Sequence, residues 1–217
     1  MADKLETYER IVDAGVVAVM RGIGEDDVVP VARALHEGGV EALEVTADAT
    51  RASELIADVD RALAETDAVV GAGTVLDEAM AVNVIEAGAD YILAPHFDRG
   101  MVTTCNRYGK IAIPGVATPT EAVEAAEAGA DMLKVFPASD LGPGYISAIQ
   151  GPLGQLPIVA TGGVSPDNVD EFFAAGATAV GAGSAMIDYD AIDRGDMDGV
   201  REHAARFVEA VADARSE

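Results

Sequence analysis

Glu86-Ala87-Gly88-Ala89-Asp90 recurs as Glu127-Ala128-Gly129-Ala130-Asp131, and more loosely as Ala174-Ala175-Gly176-Ala177-Thr178. In each copy an alanine-rich helical segment meets a glycine, the residue best able to end a helix in the left-handed conformation. A short apolar run follows each time: Tyr91–Leu93, Met132–Phe136 and Ala179–Gly181. Outward from these three copies the same alternation covers the chain. Further strands are expected at Val16–Met20, Ala42–Val45, Ala68–Val70, Ile111–Ile113 and Ile158–Ala160. Helices are expected over 2–14 and Glu25–Glu37, after the second strand with Ser53 as cap, and as a tail over Met197–Ala214. Strands alternating with helices make a parallel sheet, and eight such units favour closure into a (β/α)8 TIM barrel over an open sheet. The expectation is one barrel domain over residues 1–217 with an extra N-terminal helix. Its loops must be tight, because such barrels typically run to ~250 residues.

Composition narrows the function classes. Fourteen basic residues against 38 acidic ones give a net charge of −24, a field that repels nucleic acid and anionic lipid. The acids are spread along helices, as in Glu121, Glu124 and Glu127, and form no single block. Dispersed acid with only three lysines is the surface expected of a halophilic protein, since screening shrinks to ~3 Å at 1 M salt. Cys105, the only cysteine, excludes an internal disulfide and fits a reducing cytoplasm. No apolar run approaches the ~20 residues of a membrane span, and the polar N-terminus is unlike a signal peptide. A cytoplasmic location is expected.

In a barrel of this kind the chemistry sits at the C-terminal ends of the strands. Those positions read Arg21, Glu44 with Thr46, Thr74, Pro95 with His96, Pro114 with Gly115, Lys134 with Phe136, Thr161-Gly162-Gly163 and Gly181-Ala182-Gly183-Ser184. Lys134 stands mid-strand in Asp131-Met132-Leu133-Lys134-Val135-Phe136-Pro137, on one face with Met132 and Phe136. A free lysine titrates near ~10.4 and is almost wholly protonated at neutral pH. Burial lowers that value and turns the amine into a nucleophile for carbonyls. Glu44 lies between apolar neighbours, so it is read as a general acid or base, or as a structural partner of Lys134.

Thr161-Gly162-Gly163-Val164-Ser165-Pro166 places two glycines before an expected helix start, with Ser165 as cap and Pro166 in the first turn. Glycines let backbone N–H groups approach an anion, and a helix N-terminus favours it. Together with Gly181–Ser184, this pair of loops after the seventh and eighth strands reads as a phosphate cradle. His36, His96 and His203 form no cluster with metal-ligand spacing, and neither a metal nor a cofactor is expected. Asp131 reads as a turn residue.

These residues resemble the 2-keto-3-deoxy-6-phosphogluconate aldolase / 4-hydroxy-2-oxoglutarate aldolase family, from Val16-Val17-Ala18-Val19-Met20-Arg21 to Gly183-Ser184. Glu44-Val45-Thr46 is similar to its general-base strand, Gly71-Ala72-Gly73-Thr74-Val75 to its third-strand motif, Lys134-Val135-Phe136-Pro137 to its Schiff-base segment. The resemblance implies a metal-free class I aldolase that yields pyruvate and glyceraldehyde 3-phosphate. Lys134 would form the imine and Glu44 would move protons, through a water. Thr74, Pro114 and Phe136 would line the pyruvate end, Thr161 would orient the substrate, and Gly162, Gly163 and Ser184 would hold the phosphate. Many members are homotrimers, which implies a homo-oligomer here. Several members carry an arginine four residues after the glutamate for the pyruvate carboxylate, and this chain has Asp48 there. Arg21 is the expected replacement, with Arg51 beyond a polar turn. The alternatives are action on the galactonate epimer or on 4-hydroxy-2-oxoglutarate, a phosphate-binding isomerase or epimerase, and a non-catalytic sugar-acid sensor.

Overall fold

The computed structural model describes residues 3–216. Its strands are β1 (Val16–Met20), β2 (Ala42–Thr46), β3 (Val69–Gly73), β4 (Tyr91–Leu93), β5 (Ile111–Ile113), β6 (Gly115–Val116), β7 (Leu133–Val135), β8 (Ile158–Thr161) and β9 (Ala179–Ala182). All pair in parallel in the order β5-β4-β3-β2-β1-β9-β8-β7-β6. The two ends of that order, β5 and β6, are adjacent in sequence and separated only by Pro114. β5 pairs with β4, and β6 pairs with β7. One interrupted strand therefore closes the sheet, which gives the expected TIM-barrel-like fold of eight units. Pro114 has no N–H to offer the ladder, but its carbonyl still accepts the Lys134 N–H at 2.8 Å.

The helices before β5 are α1 (Lys4–Ala14), α2 (Val28–Glu37), α3 (Ala52–Leu63), α4 (Glu78–Glu86) and α5 (Arg99–Arg107). Those after it are α6 (Pro119–Glu127), α7 (Ala138–Leu141), α8 (Pro143–Leu153), α9 (Val169–Ala174), α10 (Tyr189–Asp193) and α11 (Met197–Ser216). Period-two alternation divides the apolar residues into two cores. Leu43, Val45, Val70, Ala72, Leu133 and Val135 face outward and pack under the helices. Val17, Ala42, Val69, Tyr91, Leu93, Ile113, Met132 and Val159 face inward and fill the barrel. Ile11 of α1 belongs to that inner core and is fully buried. The extra helix thus plugs the N-terminal mouth, and burying one such side chain contributes ~1.5–3 kcal/mol. Asp3 caps α1 by accepting the Glu6 N–H at 2.8 Å, and Gly15 ends it at φ 66°.

Several element bounds shift, α2 starting at Val28 and not Glu25, and three of the shifts have a local cause. The third strand, expected over Ala68–Val70, covers Val69–Gly73 and so takes in Gly71-Ala72-Gly73. Helix α3 begins at Ala52 behind Arg51, whose φ is 59°, and Ser53 sits within its first turn and caps nothing. Helix α9 begins at Val169, beyond Ser165 and Pro166. Asn168 accounts for the delay. Its side chain accepts the Ser165 N–H at 2.8 Å and donates to the Gly163 carbonyl at 3.1 Å. A short amide closing a turn in this way competes with helix formation.

The two β3 glycines create interior room. A Cβ on Gly71 would stand 2.3 Å from the Tyr91 ring, and one on Gly73 would stand 1.6 Å from Glu44 Oε1. Gly71→Ala should lose stability on the order of 1–3 kcal/mol through overpacking, read as a lower thermal midpoint. Adding Tyr91→Val should restore most of the loss, whereas an unchanged midpoint in the single variant would contradict this account of the interior.

Candidate active site

Lys134 points into the barrel from β7, between Met132 below and Phe136 at the mouth, and is only 6 % exposed. Its Nζ lies 5.4 Å from the centroid of the Phe136 ring, within cation–π range. Glu44 reaches inward from β2 and is 1 % exposed. Neither of its oxygens has a hydrogen-bond partner. The direct Glu44–Lys134 ion pair considered from the sequence is therefore not formed. Burial pushes the Glu44 carboxyl above the ordinary carboxylate range; the charges of Lys134 and Arg21 pull it back, and Asp48 adds to the rise. Such a group can hold a proton where a surface glutamate has lost one.

Thr46, Tyr91 and Thr161 bring further buried hydroxyls to the same interior, Thr46 lying close enough to Asp48 to help hold its carboxyl low. Burial, and then the neighbouring Glu44, drive the Tyr91 phenol well above its usual range. Thr161 packs on Gly181, where a Cβ would stand 2.5 Å from its Oγ1.

Above this layer a pocket of about 540 Å³ opens at the C-terminal mouth. Arg21, Lys134, Phe136, Thr161, Gly162, Gly163 and Ser184 all line it, with Val19, Gly181, Gly183 and Tyr189. Nine of the strand-end residues read from the sequence, Gly181 and Gly183 included, thus converge on one cavity. Glu44 and Thr46 lie buried beside it in β2, and Thr74 reaches it through Arg21. Pro95 and Pro114 do not line it. They stand on the β4–β5 side, where a Cβ on Gly115 would meet the Pro95 carbonyl carbon at 2.3 Å. A groove of about 500 Å³ between α9 and α11 is lined by Asp170, Glu171, Phe173 and Arg215. It lies outside the barrel and receives no strand-end side chain.

Two loops shape the far wall of the pocket. Gly162 and Gly163 both have left-handed φ values, 98° and 75°, which side chains disfavour. Gly163 also abuts Ser139, whose Oγ would be 2.3 Å from a Cβ there. The Ser139 N–H donates to the Gly162 carbonyl at 2.9 Å and ties this loop to the segment after β7. Beyond β9, the Gly183 carbonyl accepts from Met186 and Ile187 at 2.8 and 2.9 Å, so a helical turn starts at the pocket wall.

Arg21 ends β1 at the rim. Its guanidinium donates to Asp48 Oδ2 at 2.5 Å and to Thr74 Oγ1 at 2.7 Å. Thr74 has φ 58°, an outlier for a β-branched residue that costs ~1–3 kcal/mol and marks functional sites in general. Arg51 pairs instead with Glu25 and Glu54 on the surface. Lys110 is taken up by Asp90 at 2.9 Å in a buried pair at the strand starts. Asp131 is a turn residue as expected, and its carboxylate accepts the Ala112 N–H at 2.8 Å.

Tyr91, Ser139, Asn168 and Tyr189 were not singled out by the sequence. Tyr189 donates from its hydroxyl to the Arg21 carbonyl at 2.8 Å, across 168 residues of chain. Of the four, only Asn168 carried a signal, as the turn-forming residue of Ser165-Pro166-Asp167-Asn168.

A barrel of this topology, closed at its base and polar at its C-terminal mouth, belongs to a broad enzyme class, and comparison with known proteins narrows it to the aldolases, which are lyases. A family model described as KDPG and KHG aldolase matches residues 8–203, and the chain belongs to that family. It is 36% identical over 207 residues to the 2-dehydro-3-deoxy-phosphogluconate aldolase of Treponema pallidum, covering 95% of this chain and 96% of that one. The 2-dehydro-3-deoxy-6-phosphogalactonate aldolase of Escherichia coli is 32% identical over 201 residues, with 92% and 95% covered. Among solved structures, KDPG aldolase from Legionella pneumophila, with pyruvate captured as a covalent carbinolamine, superposes with a TM-score of 0.83. That pair is 28% identical, with 91% of this chain and 96% of that chain covered.

The raised Glu44 carboxyl has a consequence for stability. Its folded value lies above the 4.5 of a free glutamate, so ionising it costs folding energy. That cost is absent below 4.5 and grows as pH rises through the folded value. Glu44→Gln should therefore gain in thermal midpoint over the wild type progressively as pH rises above 4.5, levelling off beyond the folded value. A difference that stays constant across this range would contradict the raised value.

Proposed function

We propose that this chain is a class I aldolase that cleaves 2-keto-3-deoxy-6-phosphogluconate to pyruvate and glyceraldehyde 3-phosphate through an imine on Lys134. The observation that carries the reading is a lysine only 6 % exposed on the inward face of a strand, at the floor of the mouth pocket. The Lys134 amine adds to the C2 carbonyl of the keto acid, and loss of water gives the iminium ion. Glu44, acting through a water, takes the proton from the C4 hydroxyl. The C3–C4 bond then breaks towards the iminium, the aldehyde leaves, and an enamine remains. Protonation at C3 and hydrolysis release pyruvate and the free amine. Buried, and with a raised carboxyl, Glu44 is suited to pass that proton in either direction.

In this reading Arg21 takes the pyruvate carboxylate and Thr74 and Phe136 bound that end, while Pro114, off the pocket wall, steadies the Lys134 strand by accepting its N–H at 2.8 Å. Thr161 orients the keto acid, with Thr46 and Pro95 at the margin of the site. Gly162, Gly163 and Ser184 hold the phosphate, whose binding energy serves orientation at the distant carbonyl. The galactonate epimer is a second substrate reading, supported by the printed name of the Escherichia coli relative. A homotrimeric state and a cytoplasmic location are carried over from the resemblance and from the composition; no helix among the described residues is long and apolar enough to cross a membrane.

Incubation with pyruvate and borohydride should add mass to one peptide, the one containing Lys134. Labelling on Lys110, or on no lysine, would sink the imine reading and leave an isomerase or a sensor. Borohydride-trapped Glu44→Gln should still label, while its turnover falls by roughly two to four powers of ten.

We also propose that the net charge of −24 is an adaptation to concentrated salt. Unscreened repulsion among dispersed carboxylates destabilises the compact state. The thermal midpoint should rise steadily from low to molar KCl, and a midpoint independent of salt would refute the adaptation.

A further inference from the structure

Arg21 presents two terminal nitrogens to the mouth, and both are occupied by acceptors from other loops. One donates to the Asp48 carboxylate at 2.5 Å, the other to the Thr74 hydroxyl at 2.7 Å. A guanidinium offers a planar fork that matches one carboxylate in bidentate fashion. Here half of that fork already holds a carboxylate from the chain itself. The pair is not buried, with side-chain exposures of 54% for Arg21 and 47% for Asp48. It stands on the rim of the cavity that Lys134 floors, and among the described residues Arg21 is the only arginine lining that cavity.

We propose that Asp48 is an internal competitor for the substrate carboxylate, and so a residue that sets affinity and selectivity at the 2-oxo acid end of the site. The proposal rests on the reading that Arg21 receives that carboxylate. A bound 2-oxo acid takes over the nitrogen held by Asp48 and keeps or replaces the Thr74 contact. Asp48 then turns to solvent, where its exposure lets it regain water. Exposed ion pairs are weak, so the exchange costs on the order of two- to five-fold in affinity and does not block binding. A carbonyl compound without a carboxylate offers nothing to Arg21 and leaves the Asp48 contact in place. The competitor therefore acts on keto acids alone.

Pair and ligand compete through charge at the surface, so salt enters directly. At molar salt, screening reaches ~3 Å and the hold of Asp48 on Arg21 weakens together with its repulsion of the incoming anion. The handicap set by Asp48 is largest in dilute buffer and fades as salt rises.

The test measures pyruvate affinity by borohydride trapping at varied pyruvate in wild type, Asp48→Asn, Asp48→Ser and Arg21→Ala, with hydroxyacetone as the carboxylate-free probe. Asp48→Asn and Asp48→Ser should bind pyruvate two- to five-fold more tightly in dilute buffer, with hydroxyacetone trapping unchanged. Their advantage should fall towards unity in 2 M KCl, on the order expected from screening. Unchanged or weaker pyruvate binding in both variants would overturn the proposal and make Asp48 a positioning partner of Arg21. Equal gains for hydroxyacetone would overturn it too, because the effect would then not run through the carboxylate. Arg21→Ala separates the two readings. Lost pyruvate affinity there without any gain in the Asp48 variants sinks the competitor alone, whereas intact affinity sinks Arg21 as the carboxylate site and the competitor with it.

Discussion

The interior of an eight-stranded barrel holds a fixed number of side chains, and everything at this mouth depends on two that are missing. Gly71 and Gly73 point inward from β3, and their place is taken by the Tyr91 ring and the Glu44 carboxylate. With any side chain at Gly73, Glu44 has no position inside the wall. With any at Gly71, Tyr91 is displaced from the layer beneath it. The glutamate is buried because a neighbouring strand yields its volume, and its raised carboxyl follows from that burial. Packing thus precedes electrostatics in the construction of the site.

The two ends of the barrel treat polar groups in opposite ways. At the N-terminal end they are paired: Lys110 with Asp90 at 2.9 Å, Lys4 with Asp131 at 2.9 Å. At the C-terminal side Glu44, Thr46, Tyr91 and Thr161 keep buried oxygens without partners, Thr104 of α5 being the sole other case among the described residues. Each such atom costs ~1–3 kcal/mol relative to a satisfied one. A protein selected for stability alone removes that cost, as the lower end does. The oxygens gathered under one lysine instead form a polar layer beneath the mouth pocket. The plug of α1 belongs to the same division of labour, since a closed base lets the upper layer stay polar without opening a channel.

Much of this was legible in the chain. The repeated helix–glycine–strand unit specified the barrel, since few other folds absorb eight short parallel strands in one core. The lysine and the glutamate were legible because charge is costly between apolar neighbours, and the glycine pairs because loops near strand ends are few. What escaped was whatever depends on distant segments. Tyr91 reads as an ordinary core aromatic until Glu44 is seen beside it. Tyr189 is joined to Arg21 only through the closure of β1 against β9. The late start of α9 turned on one amide, Asn168, which outcompeted the Ser-Pro signal before it. Strand ends erred for a related reason: glycine ends strands on average, but inside a closed barrel it marks where two walls need the same space.

Charge at long range and charge at contact pull in opposite directions here. Any anionic ligand approaches a protein of net charge −24 against a repulsive general field, which slows its arrival. Among the described residues, Arg21 and Lys134 are the basic side chains at the pocket. The rest of the wall is glycine backbone and hydroxyl, from Thr161-Gly162-Gly163 and Ser184. Backbone N–H groups and hydroxyls are neutral donors, whose short bonds depend less on ionic screening than an exposed ion pair such as Arg21–Asp48 does. Arginine steering across tens of ångströms is lost in such a solvent. A site that recognises anions through short contacts loses little when salt removes the field, and it gains the removal of the repulsion. An acidic surface and a mouth built from short neutral contacts are thus compatible in concentrated salt.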